Sequence, residues 1–243
     1  MHRLQRRFLS VTVVLAVLVS AGLWQFFPRS HTTLPPISPR PTSPAEALER
    51  LHQGNQRYVN LARTQSTDTA HDAELRQHTA REQHPFAAII ACSDSRVCPE
   101  FIFDQRAGNL FEIRNAGNVI DEDVMGSVEY AVEHLHIGLV LVLGHKGCGA
   151  IKAVVEANGQ PLHDHLHDLQ KHMSGLLPSA EQVKNEEFTA KVNRLAAENA
   201  RQQAEILLRQ CPVLQQAIAK GTTELRYGIY DMESGIVEFF SLP

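Results

Sequence analysis

Two short runs in this chain, Phe86–Ala91 (FAAIIA) and Gly138–Leu143 (GLVLVL), carry no charged or hydrogen-bonding side chain at any position. Runs of this length and composition read as buried strands. A third strand is expected at Leu110–Arg114 (LFEIR). Between the second and third of these runs, Glu122–His136 repeats its apolar residues Val124, Val128, Ala131, Val132 and Leu135 at helical spacing. Cys148–Ala157 also reads as helix, and residues 180–220 are helix-rich and polar, with Pro212 as a break. Thr223–Tyr230 and Gly235–Phe240 form a closing pair of strands whose turn, Asp231–Ser234, suits a hairpin. Strands alternating with helices imply an α/β fold, a mostly parallel β-sheet flanked by helices, with the last strand antiparallel.

The first 42 residues do not belong to that pattern. Arg3, Arg6 and Arg7 precede an almost wholly apolar run from Phe8 to Leu23, and Val19 and Ala21 fit a signal-peptidase site. Trp24, Phe26 and Phe27 extend the run toward the ~20 residues a membrane span needs. Residues 1–27 are therefore either a signal peptide or an N-terminal membrane anchor, and both predict export, in a bacterium to the periplasm. Residues 28–42 read as a Pro-rich linker, with Pro28, Pro35, Pro36, Pro39 and Pro41 among Ser and Thr. The catalytic domain is expected over 43–243, opened by Ser43 as a helix cap with Pro44 in the first turn and Glu46 completing a capping box. A formal charge of −4 and the lack of a long basic run beyond the first residues argue against nucleic acid as a partner. Four cysteines are too few for a disulfide scaffold of 243 residues, so their positions matter more than their number.

Three of the potential metal ligands fall at the ends of the two buried strands. Cys92 follows FAAIIA, and His145 and Cys148 follow GLVLVL in the sequence GHKGCG. Ligands gather beyond the carboxyl ends of strands in open α/β sheets. Two thiolates and one imidazole suit Zn(2+), and three protein ligands leave a fourth position open for chemistry. Gly144, Gly147 and Gly149 let the backbone turn sharply around the ligands. Cys148 opens a helix, where the dipole favours thiolate over thiol. Asp94 and Arg96, in ACSDSR, stand just after Cys92. A guanidinium can hold the carboxylate ionised through two parallel hydrogen bonds, and an ionised carboxylate only accepts. Taken singly, each cysteine could be a small buried hydrophobe and the Asp–Arg pair a surface ion pair worth little; their convergence on two strand ends argues for a site.

The pairing of ACSDSR with GHKGCG, together with SRVCPEFIFDQ, FEIRNAGN and EYAVEHL, resembles the β-class carbonic anhydrases over roughly residues 43–243. The resemblance implies a zinc enzyme that reversibly hydrates carbon dioxide to bicarbonate and a proton. It implies Cys92, His145 and Cys148 as zinc ligands and Asp94 and Arg96 as the catalytic dyad. It further implies a substrate pocket lined by Gln83, Phe111, Tyr130 and the backbone N–H of Gly149, and a homodimer or homotetramer with the active site at the dimer interface. For Phe111 and Tyr130, plain core packing remains an equal reading. Relatives with this framework hydrolyse carbonyl sulfide or carbon disulfide, and a non-catalytic zinc-binding module, closed by Asp94 on the metal, is a third reading. Some members shut themselves off through a bicarbonate pocket built on a tryptophan three residues before the first cysteine. Here that position is Ile89, and the chain's one tryptophan is Trp24. The histidines at 163, 165, 167 and 172 read as a solvated loop and helix face. Cys98 and Cys211 read as free thiols, with a disulfide between them as the alternative.

Overall fold

The computed structural model describes residues 39–64, 75–176 and 185–242, so the expected signal peptide or anchor and most of the expected linker lie outside the described residues. The compact unit is Pro39–Pro243. Packing begins slightly ahead of Ser43, because the Arg40 guanidinium donates to the carbonyls of Leu135 and His136. Helix α1 (Pro44–Val59) starts at Ser43, whose hydroxyl accepts from the N–H of Glu46 at 3.2 Å. The Glu46 carboxylate takes the N–H and hydroxyl of Thr42 and is also drawn down by the N–H of Ser43, the other half of the expected box. No helix among the described residues is long and apolar enough to cross a membrane.

Strands β1 (Ala87–Cys92), β2 (Leu110–Asn115), β3 (Leu139–His145), β4 (Glu224–Tyr230) and β5 (Val237–Ser241) form one sheet in the order β2-β1-β3-β4-β5. The first four run parallel, and β5 returns antiparallel on β4. Both β1 and β3 are buried at every position, which is why each reads as an uninterrupted apolar run. Successive side chains along a strand face opposite sides. Ala87, Ile89, Ala91, Leu139, Leu141 and Leu143 pack against α1 and the one-turn helix α2 (Pro99–Ile102). Ala88, Ile90, Val140 and Val142 pack against α3 (Glu122–Glu133), α6 (Phe188–Gln210) and α7 (Pro212–Ala219). Ile89, at the position of the absent tryptophan, is fully buried in the first of these layers.

Two further helices, α4 (Gly149–Ala157) and α5 (His165–His172), lie between β3 and α6 in sequence. A third cluster joins Cys92 and Cys148 to Ile151 of α4, Met173, and Val192, Leu195 and Ala196 of α6. The break expected at Pro212 separates α6 from α7, with Cys211 as the residue between them. Gly144, one residue before His145, is where α6 presses on β3. A Cβ there would stand 3.0 Å from Ala200 Cβ and 3.2 Å from the Ala196 carbonyl oxygen, closer than side chains normally pack. Cys98 and Cys211 are both free. Cys98 is half-buried beside the Ser95 carbonyl, whereas Cys211 is fully buried in the opposite layer near Glu129.

Candidate metal centre

The three ligand candidates sit where the sheet delivers them. Cys92 is the last residue of β1, His145 the last of the adjacent β3, and Cys148 caps the N-terminus of α4. Neighbouring strands are about 4.8 Å apart, so two adjacent parallel strands ending within one residue of the same level bring their terminal side chains together. The two sulfurs and a ring nitrogen of His145 all lie within 4.8 Å of one another, and all three residues are buried. The sulfurs are 4.0 Å apart; around a tetrahedral zinc with bonds of about 2.3 Å they would stand about 3.8 Å apart.

The protonation pattern also fits a cation. Nδ1 of His145 is 3.0 Å from the Lys146 carbonyl oxygen. A carbonyl only accepts, so the ring carries its proton on Nδ1 and presents a lone pair at Nε2. That Nε2 is buried with no hydrogen-bonding partner, which for a polar atom is costly unless something fills the place. Cys92 is drawn down to about 4 by the hydrogen bond from Cys148, helped by the Gly117 N–H and opposed by burial. Cys148 moves up for the reciprocal reason: a second negative charge beside the first, away from water, is unfavourable. A divalent cation between the sulfurs would remove that conflict and stabilise both thiolates. The N–H groups of Ala150 and Ile151, in the first turn of α4, act in the same direction on Cys148.

Asp94 stands beside this triad. Its Oδ1 accepts from Arg96 Nε at 2.9 Å and from the Arg96 N–H at 3.0 Å, and its Oδ2 accepts from Arg96 Nη2 at 2.7 Å. The guanidinium hydrogen bond is the main reason the carboxyl lies far below the usual carboxylate range. Oδ2 is also 4.0 Å from His145 Nε2. The carboxylate therefore faces the metal position while both oxygens remain engaged with Arg96, and it is not one of the converging ligand atoms.

Several residues that hold the centre carry roles not read from the sequence. Arg114, in FEIRN, donates from Nε to the Cys92 carbonyl at 3.2 Å and from Nη2 to the Asp94 carbonyl at 2.9 Å, pinning the ligand loop to the dyad loop. Asn193 of α6 accepts from the Gly147 N–H at 2.8 Å. Lys146 donates to Asp231 at 2.8 Å, tying the GHKGCG loop to the β4–β5 turn. Gly147, at φ 65°, makes the turn between His145 and Cys148. The FEIRNAGN motif was the available signal for Arg114; the asparagines of α6 looked like ordinary surface residues.

The remaining pocket candidates separate into two places. Gly149 directly follows Cys148 and opens α4, with free space where a Cβ would lie. Gln83 and Tyr130 instead line a different cleft, of about 620 Å³, together with Arg40, His84, His134 and His136. Phe111 lies 6.1 Å from Tyr130, centroid to centroid. It pairs with Ala88, four residues back along β2 from the level of Cys92, or roughly 13 Å at strand rise. Within one chain, then, Gln83, Phe111 and Tyr130 form a group apart from the metal triad. Their surface is β2, an edge strand, and α3, on which Tyr130 is 45% exposed. The histidines of α5 do not converge on a metal-holding group.

A consequence of the sulfur geometry can be checked directly. Metal-free protein under mild oxidant is expected to lose two of its four titratable thiols by pairing Cys92 with Cys148, while metal-loaded protein keeps all four. Peptide mapping identifies the pair, and persistence of both thiols in the metal-free sample would contradict the close approach.

Comparison with known proteins gives a consistent picture. A family model described as carbonic anhydrase matches residues 87–237. A carbonic anhydrase of Mycolicibacterium smegmatis is 32% identical over 202 residues, covering 82% of this chain and 95% of that protein. Carbonic anhydrase 2 of Mycobacterium tuberculosis is 34% identical over 198 residues, covering 80% of this chain and 91% of its own length. Among solved structures, a tetrameric β-carbonic anhydrase from Sordaria macrospora superposes with a TM-score of 0.64 at 25% identity, covering 70% of this chain and 90% of that one. The β-carbonic anhydrase CcaA superposes with a TM-score of 0.63 at 29% identity, covering 80% of this chain and 95% of its own.

Proposed function

The chain belongs to the β-carbonic anhydrase family, and from that premise we propose how its residues carry the reaction. The enzyme is a carbonic anhydrase, a lyase that reversibly hydrates carbon dioxide to bicarbonate and a proton. The observation that carries the mechanism is the convergence of Cys92, His145 and Cys148 on one point, with Nε2 of His145 buried and unpartnered, next to a carboxylate fixed by Arg96. Zinc held by these residues would supply Lewis acidity that makes water a nucleophile near neutral pH. Two thiolates offset more of the ion's charge than imidazoles would, so the rate should rise with pH above neutrality. Asp94, ionised and able only to accept, aligns an O–H donor and leaves that oxygen's lone pair toward carbon dioxide. Arg96 keeps the acceptor in place. The N–H of Gly149, at the positive end of α4, favours the bicarbonate anion.

Assembly and location complete the proposal. Exposed Tyr130, its neighbour Phe111 and Gln83 lie on one surface at the β2 edge, and a homodimer that set this surface against the partner's centre would complete a substrate pocket; a homotetramer would double the arrangement. The basic, then apolar, N-terminus supports export to a bacterial periplasm, either free or anchored to the inner membrane.

Zinc analysis coupled to stopped-flow hydration across pH tests the reading. One zinc per chain and a rate rising through and above neutrality are expected. Asp94 should add no inflection over about pH 5–9: its carboxyl pKa is depressed, so it is already ionised throughout that window. Bound zinc with no hydration at any pH would establish the non-catalytic module instead. Carbonyl sulfide turned over in preference to carbon dioxide would replace the substrate.

A further inference from the structure

Cys92 Sγ accepts a hydrogen bond from the Gly117 N–H at 3.2 Å. Gly117 reaches that sulfur through a left-handed backbone, φ 73° and ψ 16°, which favours glycine. The space its missing Cβ would occupy is taken by Met173, whose Cε would lie 2.1 Å from it. Asn118, the next residue, is also left-handed. The loop is closed at its base by Asn115, whose side chain donates to the Val119 carbonyl and accepts the Val119 N–H, both at 2.9 Å. What fixes the middle of the loop comes from elsewhere in the chain. Asn199 of α6, 1% exposed, donates from Nδ2 to the Gly117 carbonyl at 2.8 Å. Its own Oδ1 accepts from Gln203, which in turn accepts the Ile120 N–H at 2.7 Å and donates to the His172 carbonyl at 3.0 Å.

We infer that Asn199 is a positioning residue for the metal centre: by holding the Gly117–Asn118 peptide it keeps the Gly117 N–H on Cys92 Sγ and so sets the electron density that sulfur offers a metal. The amide makes no contact with the centre and acts only through the turn. A buried carbonyl deprived of its donor is costly, and Gly117 has two soft dihedrals with which to relieve it, so losing Asn199 should rotate the loop and withdraw the N–H. A thiolate without that hydrogen bond is a stronger electron donor, which lowers its charge-transfer energy, but it is held in a less defined direction, which weakens its hold on a metal. Outer-shell contacts of this type typically change metal affinity by about 10–100-fold.

The test uses folded full-length protein loaded with Co(II), whose sulfur-to-metal charge-transfer absorption reports the thiolates directly, and with zinc, whose release to a chelator is timed. In Asn199→Leu the charge-transfer band should move to longer wavelength and zinc release should quicken by about tenfold. Asn55→Leu is the control. Asn55 is also buried, and it donates to the Ile102 and Gly235 carbonyls with no bond to the Gly117 loop or to Cys92; its loss should lower the melting temperature while leaving band and release rate as in wild type. If Asn199→Leu does not fold, Asn199→Ser, which stays polar but cannot reach the carbonyl, is read in the same way. An unmoved or blue-shifted band in the Asn199 variant, or the same red shift in Asn55→Leu, overturns the assignment. The inference rests on the metal reading of the centre, and the two fail differently: wild type that takes up no Co(II) removes the metal reading, whereas wild type that takes it up and a variant that matches it removes only the role of Asn199.

Discussion

Replacing His145 by alanine is expected to leave a folded protein that retains no stoichiometric zinc after dialysis and hydrates carbon dioxide at the buffer background. His145 supplies one of three converging ligand atoms, and losing a direct ligand should exceed the roughly 10–100-fold affinity loss typical of an outer-shell partner. The fold should survive because the β3 backbone stays paired with β1 and β4 and the rest of β3 remains packed between two helical layers. Circular dichroism establishes the fold, elemental analysis the zinc, and stopped-flow indicator assays the rate. Cys148→Ala should behave alike. Retention of one zinc per chain with full activity in either variant would remove that residue from the coordination sphere.

Asp94→Asn should separate chemistry from metal binding. The amide is nearly the same size and can still meet Arg96 through its oxygen, but it presents an NH2 donor where the carboxylate had only acceptors. Zinc should stay at wild-type stoichiometry while the hydration rate falls by on the order of 100-fold or more, the scale of a misassigned proton-handling group. The loss should persist across pH, because the wild-type carboxylate is already ionised over the whole working range. A rate within about twofold of wild type, outside that expectation, would reduce the Asp94–Arg96 pair to a structural ion pair. Loss of zinc in the variant would make Asp94 part of the metal's hold.

How much of this was legible beforehand depended on whether the local pattern had one physical cause. FAAIIA and GLVLVL could be read because burial on both faces leaves only apolar residues. The ligands at their ends could be read because sulfur, imidazole and glycine occur together there for few other reasons. The one-turn helix α2 was not read, since four residues are too short to show periodicity. Asn193, Asn199 and Gln203 were unread for a different reason: on a polar helix their amides look solvated, yet Asn199 and Gln203 are each 1% exposed and all three hydrogen-bond to loops distant in sequence. The glutamine and two aromatics of the expected pocket show a further limit. The family resemblance named Gln83, Phe111 and Tyr130, but their distance from the triad within one chain follows from the register of β2 and from α3.

The contact at Gly144 joins these observations. Helix α6 can lie as deep as it does only because that position has no side chain, and from that depth its amides span both loops that cradle the sulfurs. A single methyl at 144 would press on the helix by a few tenths of an ångström, a push felt at once by two loops that are far apart in the chain. Tolerance to amino-acid drift around this centre is therefore governed as much by one point on the back of a strand as by the groups facing the metal.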